Sequence, residues 1–273
     1  MSSQGMENEA SSRGATWLAT LTDDAPPLAG FPASVRVVDG LLADQPCRYV
    51  AVLPDESNPW PRARAGEVGL IEGWALAKAV HGAMAADRTT QKRAIVAVVD
   101  VSSQAYGRRE EAFGIHQALA GAAGAYAQAR QAGHAVIALI VGKAMSGAFL
   151  AHGYQANRII ALNDPGVLVH AMGKAAAARV TMRSVDDLER LAADVPPMAY
   201  DIASFATLGL LWRLIDVGDA ARPGAADVDA VRSALVAALE SIRADPTVDL
   251  RTRLGGVNRK ASSVVREKLL AQW

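Results

Sequence analysis

An α/β protein with a largely parallel sheet is what this sequence predicts, on three observations. Two nearly continuous apolar runs, AIVAVVDV at 94–101 and AVIALIV at 135–141, have the β-branched character of strands covered on both faces. Between them, residues 109–131 form a long stretch rich in alanine and glycine that reads as a helix. Crossovers of that length join parallel strands in a right-handed sense, and ligands then gather at the carboxyl ends of the strands.

Composition sets the outer limits. The 273 residues suffice for one large domain or two small ones, and 51% of them are apolar, which excludes a disordered chain. Lysine plus arginine equals aspartate plus glutamate at 28 each, so no net field draws the chain to nucleic acid or an acidic membrane. The single cysteine, Cys47, excludes a disulfide framework and a cysteine metal site. No stretch reaches the roughly 18 uninterrupted apolar residues of a membrane span. The polar start MSSQGMENEASSRG lacks the apolar core of a signal peptide, so a cytoplasmic location is expected.

The elements follow in order. Residues 1–33, with Pro26, Pro27 and Pro32, are expected to be a loose lead-in to a single domain over 34–273. Short strands at 33–38 and 49–53 flank a turn at Gly40, and the Pro-, Asn- and Ser-containing segment 55–66 is a loop. Helical spacing over 67–84 places Val68, Ile71, Trp74, Ala75 and Ala79 on one side. The strand at 94–101 leads into a polar loop at 102–107 and then the long helix. The strand at 135–141 ends in Gly142-Lys143-Ala144-Met145-Ser146-Gly147, read as a tight turn feeding a buried helix from Ala148. A strand at 158–162, a turn at 163–166 and a strand at 167–170 come next. Ser184 with Asp187 makes a capping box for a helix through Ala193. Helical segments at 198–217 and 225–244 precede a basic C-terminus that ends in a helix.

The turn at 142–148 carries the chemistry. The first N–H groups of a helix lack intrahelical partners, and the helix dipole adds partial positive charge there. With Gly147 and Ala148 at that place, nothing bulky hinders an anionic oxygen, which describes an oxyanion hole. The strand ends at 101–106 and 170–173 are expected to border the same crevice. Ser146 makes a poor nucleophile, because Gly-x-Ser-x-Gly needs glycines where Ala144 and Ala148 stand. A turn of small residues serving packing alone is the competing reading.

Other residues are weighed against that turn. The histidines at 81, 116, 134, 152 and 170 show no metal-binding spacing, and His134 and His152 read as packing or surface residues. His170, at a strand end beside Met172-Gly173, is the best candidate for proton delivery or substrate contact, with Tyr106 of the polar loop second. Met172, Gly173 and Leu150 are expected to line the substrate. Lys143 is expected in solvent. Arg62 and Arg64 lie in a solvated loop with the option of meeting an acidic carrier. Arg251, Arg253, Arg259 and Lys260 lack interleaved aromatics, so a surface tail that docks a partner is favoured over nucleic-acid binding.

The order AIVAVVDV, alanine-rich helix, AVIALIVGKAMSGAFLAHG, ANRIIALNDPGVLVHAMG resembles that of crotonase-type carboxyltransferase domains. Within that group VDVSSQAYGRREE, GKAMSGAFLAHG and NDPGVLVHAMGKAAAARVT are similar to the gamma subunits of biotin-independent malonate decarboxylase, from about residue 35 onward. The resemblance implies a crotonase-like spiral of ββα units with a parallel sheet, its helices packing against a partner subunit. It implies a carboxy-lyase subunit, active with a homologous beta subunit, that releases CO2 from a malonyl thioester. The malonyl group would ride on the phosphopantetheine-type arm of an acyl carrier protein subunit, with an acyl transferase (alpha) subunit in the larger complex. No biotin, metal or redox cofactor would be bound by this chain.

Matched to the family turn, Gly147 and Ala148 take the oxyanion-hole positions. Ser146 stands where many relatives carry the first glycine of a pair, and either a hydrogen bond or a turn cap is open to its hydroxyl. Two other readings compete: a biotin-dependent carboxyltransferase subunit, and a non-catalytic partner that completes a beta-subunit site. Which oxygen occupies the hole, which subunit supplies the proton, and the stoichiometry stay open at this level.

Overall fold

The computed structural model describes residues 12–245 and 249–273; the first 11 residues of the expected lead-in lie outside the described residues. From residue 12 the lead-in is not loose. Ser12 caps α1 (Arg13–Leu21), accepting from the Ala15 N–H at 3.2 Å. The helix buries Trp17 and Leu18, and the Trp17 Nε1–H donates to the Ala220 carbonyl at 2.8 Å. The prolines that suggested a loose segment come after this docked helix, not within it.

Strands β1 (Val35–Leu42) and β2 (Gln45–Val52) form an antiparallel hairpin. Its turn is Ala43-Asp44, both left-handed with φ of 50° and 59°, as a two-residue type I′ loop requires. Gly40, expected at the turn, pairs with Cys47 inside the hairpin instead. The usual Asn-Gly or Asp-Gly signature is absent, which is why the turn was misplaced.

Then come α2 (Leu70–Ala86) and β3 (Ala94–Val101). The single helix expected over 109–131 is two, α3 (Arg108–Ala112) and α4 (Ile115–Gln131), parted at Gly114 with φ of 81°. Strand β4 (Val136–Met145) is longer than expected: Gly142 to Met145 continue it rather than forming a turn. It feeds α5 (Ser146–Ala151), then β5 (Arg158–Asn163) and β6 (Leu168–His170). Helices α6 (Lys174–Thr181) and α7 (Val185–Asp194) follow, the latter with the Ser184–Asp187 capping box. The helix expected over 198–217 is α8 (Ile202–Ala206) and a strand, β7 (Arg213–Asp216). Gly209, at φ of 77°, turns the chain between them, and the strand pairs with β5. Helices α9 (Ala225–Ala244) and α10 (Lys260–Gln272) complete the described chain. None of its helices is long and apolar enough to cross a membrane.

The sheet runs β1-β2-β3-β4-β5-β7, and every pairing beyond the first hairpin is parallel. Strand β4 changes partner along its length. Ile137–Ile140 pair with β5, whereas Lys143–Met145 pair with β6. Asp100 sits opposite this change, where the register between β3 and β4 shifts. Its carboxylate accepts from the Lys143 N–H at 3.0 Å and from the Gly14 N–H at 3.2 Å. A Cβ on Gly142 would fall onto that carboxylate, so the glycine makes the crossing possible.

Close helix packing comes from the small residues. A Cβ on Gly73 of α2 would lie 2.7–2.9 Å from the Ala118 backbone and side chain of α4, and one on Gly121 would lie 2.9 Å from the Trp74 ring. At the start of α2, buried Glu72 accepts from Ser34 Oγ at 2.6 Å, Asn58 Nδ2 at 2.7 Å and the Gly69 N–H at 2.9 Å. Three donors satisfy a carboxylate whose burial would otherwise be costly, and they tie the 55–66 loop to the helix.

His152, which ends α5, is fully buried with both ring nitrogens engaged. Its Nε2 lies 3.0 Å from the Val98 carbonyl and must donate to it, so Nδ1 accepts from the Tyr126 hydroxyl, also at 3.0 Å. Burial pushes its pKa down to about 4. This is a packing histidine that anchors α5 to β3 and α4.

Two stability results follow. Gly73→Ala will lower stability in a urea titration, although glycine to alanine in a helix interior ordinarily gains about 0.5–1 kcal/mol. A gain would contradict the α2–α4 contact. Between about pH 6.5 and about 4, the unfolded chain binds a proton at His152 that the folded chain refuses. Stability will therefore fall as pH is lowered through that window, by up to about 3 kcal/mol from this group. NMR titration showing the folded His152 ring protonating near pH 6.5 would refute this.

Candidate active site

Three segments converge beyond the carboxyl end of β4. The polypeptide leaves Met145 extended, with φ of −110° and ψ of 142°, and reverses at Ser146 with φ of 59°. A left-handed conformation costs a residue with a Cβ on the order of 1 kcal/mol, and glycine none. That cost explains on physical grounds why a glycine suits this position and what Ser146 departs from. The bend presents the N–H groups of Gly147 and Ala148 at the start of α5, where no side chain caps them. With only six residues, α5 adds less dipole field than a long helix would, so individual N–H donors are what the site offers.

The second segment is β6, whose His170 is the register partner of Met145. The third is the loop after β3, which carries Gln104. Together they line a pocket of about 510 Å³ that includes Gln104, Ser146, Gly147, Leu150 and His170. Phe149, Phe205, Leu208 and Leu210 supply an apolar wall. Leu150 remains 51% exposed at its edge.

His170 is held from two sides. Its Nδ1 lies 3.1 Å from the Met172 N–H and 2.8 Å from the Met172 carbonyl, and the other nitrogen takes no part in that pairing. Its ring stacks on Tyr200, with centroids 3.9 Å apart and planes 17° from parallel. The Tyr200 backbone is fixed by the Val169 N–H, which donates to its carbonyl at 2.9 Å. Burial raises the Tyr200 phenol above its ordinary range.

The sequence-predicted residues divide accordingly. Ser146, Gly147, Leu150 and His170 come together in the pocket. Ala148, expected in the oxyanion hole, is fully buried and is not among the described lining residues. Met172 and Gly173, expected against substrate, are not among the described lining residues. Met172 pairs with His170 through its backbone, and Gly173 caps α6. Tyr106, expected in the site, is 53% exposed and its hydroxyl donates to Glu111 Oε1 at 2.7 Å, because the loop turns outward after Gln104. Arg62, Arg64 and Lys143 are exposed. Arg253, expected on a surface tail with Arg251, Arg259 and Lys260, is instead buried. It donates to the carbonyls of Tyr154, at 2.6 Å, and Ala156, and burial pushes it down to about 10. Its fold-back clamps the C-terminal segment to the turn after α5.

Gln104 and Tyr200 were missed as individual residues. The first lies in a loop already marked as a strand end; no periodicity or motif distinguishes the second.

Comparison with known proteins identifies the family. Residues 63–273 match the family model for the malonate decarboxylase gamma subunit. The chain is 32% identical over 241 residues to the malonyl-S-ACP:biotin-protein carboxyltransferase MADD of Malonomonas rubra, covering 84% of this chain and 79% of that one. It is 62% identical to a chain in the solved Pseudomonas malonate decarboxylase hetero-tetramer in complex with coenzyme A, over 96% of this chain and 100% of that one, with a TM-score of 0.92. A chain of the Pseudomonas MdcD-MdcE hetero-dimer gives 60% identity, the same coverage and a TM-score of 0.88. Transcarboxylase 12S, at 19% identity over 84% of this chain and 41% of that one, shares the fold alone, with a TM-score of 0.64. The fold is thus that of the crotonase-type carboxyltransferases, and the chain belongs to the malonate decarboxylase gamma subunit family.

Proposed function

We propose that this chain contributes half of a decarboxylase site, working with a homologous beta subunit on a malonyl thioester carried by an acyl carrier protein. The observation that carries the reading is the bend at Ser146, which sets Gly147, at the uncapped start of α5, in an apolar pocket with His170. Decarboxylation breaks the bond between the α-carbon and the carboxyl carbon. The electron pair passes into an enolate, CO2 departs, and the α-carbon then takes a proton. Preorganised N–H donors lower this barrier by stabilising oxygen that bears the negative charge, each being worth about 3 kcal/mol in comparable holes. His170, packed on Tyr200, is the group of this chain suited to deliver or relay the proton.

The partner follows from the relatives, one of which is solved as a hetero-dimer. The edge of the pocket suits such a subunit, since Leu150 leaves a large apolar side chain exposed there, and Trp74 and Phe113 are exposed as well. An alpha acyl transferase subunit would load the carrier, and this chain itself would bind no biotin or metal.

A second reading draws on the Malonomonas relative, whose name specifies transfer to a biotin protein. In that case the same hole would hold the ureido oxygen of biotin. Decarboxylation by the reconstituted complex will be unaffected by avidin if the first reading holds, and abolished by it if the second does.

Gly147→Val will reduce turnover of malonyl-carrier thioester about 100-fold or more while leaving the complex assembled, checked by CO2 release and gel filtration. Full activity would leave this chain a non-catalytic partner. Ser146→Gly, which suits the left-handed bend, will retain activity within a few-fold and raise or preserve the melting temperature. A drop below a tenth would give the hydroxyl a chemical role.

A further inference from the structure

Gln104 lines the pocket with Ser146, Gly147 and His170. Its loop is pinned along the backbone. The Val68 N–H donates to the Ser103 carbonyl at 3.0 Å, the Ala105 N–H to the Val68 carbonyl at 2.9 Å, and the Tyr106 N–H to the Gln104 carbonyl at 2.8 Å. With the backbone held, the side chain lies against the α-carbon of Gly147, where an added Cβ would fall onto its amide oxygen. Gly147 is not among the residues of positive φ, so its conformation does not demand glycine. A side chain there would instead have to displace the Gln104 amide.

Charge is the second observation. The described residues lining the pocket include no Lys, Arg, Asp or Glu. A carboxylate entering so apolar a space sheds water and needs hydrogen-bond donors in exchange. A fixed cation would supply them at a cost to rate. As CO2 leaves, negative charge moves off the carboxylate, so an ion pair stabilises the reactant more than the transition state. A neutral amide positions the group and loses little when it goes.

We propose that Gln104 recognises the carboxylate of the malonyl-type acyl group, its Nε2 donating to a carboxylate oxygen while its amide oxygen stays against Gly147. The assignment rests on the decarboxylase reading above. In the step it serves, the bond from the α-carbon to the carboxyl carbon breaks and its electrons form the enolate. The carboxylate leaves as neutral CO2, and a proton from solvent or a neighbouring acid completes the acetyl product.

The test uses the reconstituted complex with malonyl-pantetheine thioester as substrate and acetyl-pantetheine thioester as a binding probe. Gln104→Ala will raise KM for the malonyl thioester about tenfold and leave acetyl thioester binding within about twofold. Gln104→Glu, nearly isosteric but anionic, will raise KM further. Gln104→Lys will lower KM while cutting kcat about tenfold or more, the split expected when a cation holds the reactant carboxylate too firmly. An unchanged malonyl KM in the alanine and glutamate variants, or equal weakening of malonyl and acetyl binding, overturns the assignment. If those variants behave as wild type while Gly147→Val is inactive, the decarboxylase reading stands without this role for Gln104. If Gly147→Val is also fully active, both fall.

Discussion

The left-handed backbone at Ser146 is the constraint on which the site depends. The chain passes from β4 into α5 through one residue in an unusual conformation, with a φ of 59°. Gly147 and Ala148 follow it directly, and α5 runs from there to buried His152. The strain is offset by what surrounds it. His152 is locked between Tyr126 and Val98, and Arg253 closes over the following turn.

Strand β4 reaches that corner by exchanging neighbours, leaving β5 after Ile140 and joining β6 at Lys143. Gly142 and Asp100 make the exchange possible, because the carboxylate supplies a bond to the Lys143 N–H where the ladder shifts. The same carboxylate holds the start of α1, and Arg13 reaches Asp164 at 2.7 Å beside the turn that leads into β6. The N-terminal helix is thereby tied to two of the strands that form the site.

The α/β class was legible because apolar runs such as 94–101 and 136–141 permit no other burial, and the alanine-rich crossover between them permits few other connections. That a corner of small residues follows the buried strand at Gly147-Ala148 was legible too, and the folded chain sets Gly147 in the pocket. Long-range pairing was not legible. Strand β7 looked helical because its identity comes from the edge of β5, not from its own four residues. The Ala43-Asp44 turn lacked its usual glycine. Tyr106 and Gln104 stand two residues apart in one polar loop, and only the folded backbone determines which turns inward. Arg253 differs from Arg251 by nothing local; a pair of distant carbonyls decides its burial.

In the proposed reading, an apolar pocket, neutral hydrogen-bond donors and a stacked imidazole steady a moving charge without attacking carbon. The same reading has a second subunit cover the apolar side chain of Leu150 left exposed at the pocket edge. The most direct measurement is the structure of the reconstituted complex with a malonyl thioester analogue that cannot lose CO2. An analogue oxygen within about 3.2 Å of both the Gly147 and Ala148 nitrogens is the expected result. An analogue seated in the complex with all its oxygens held elsewhere, and those two N–H groups facing none of them, would contradict it.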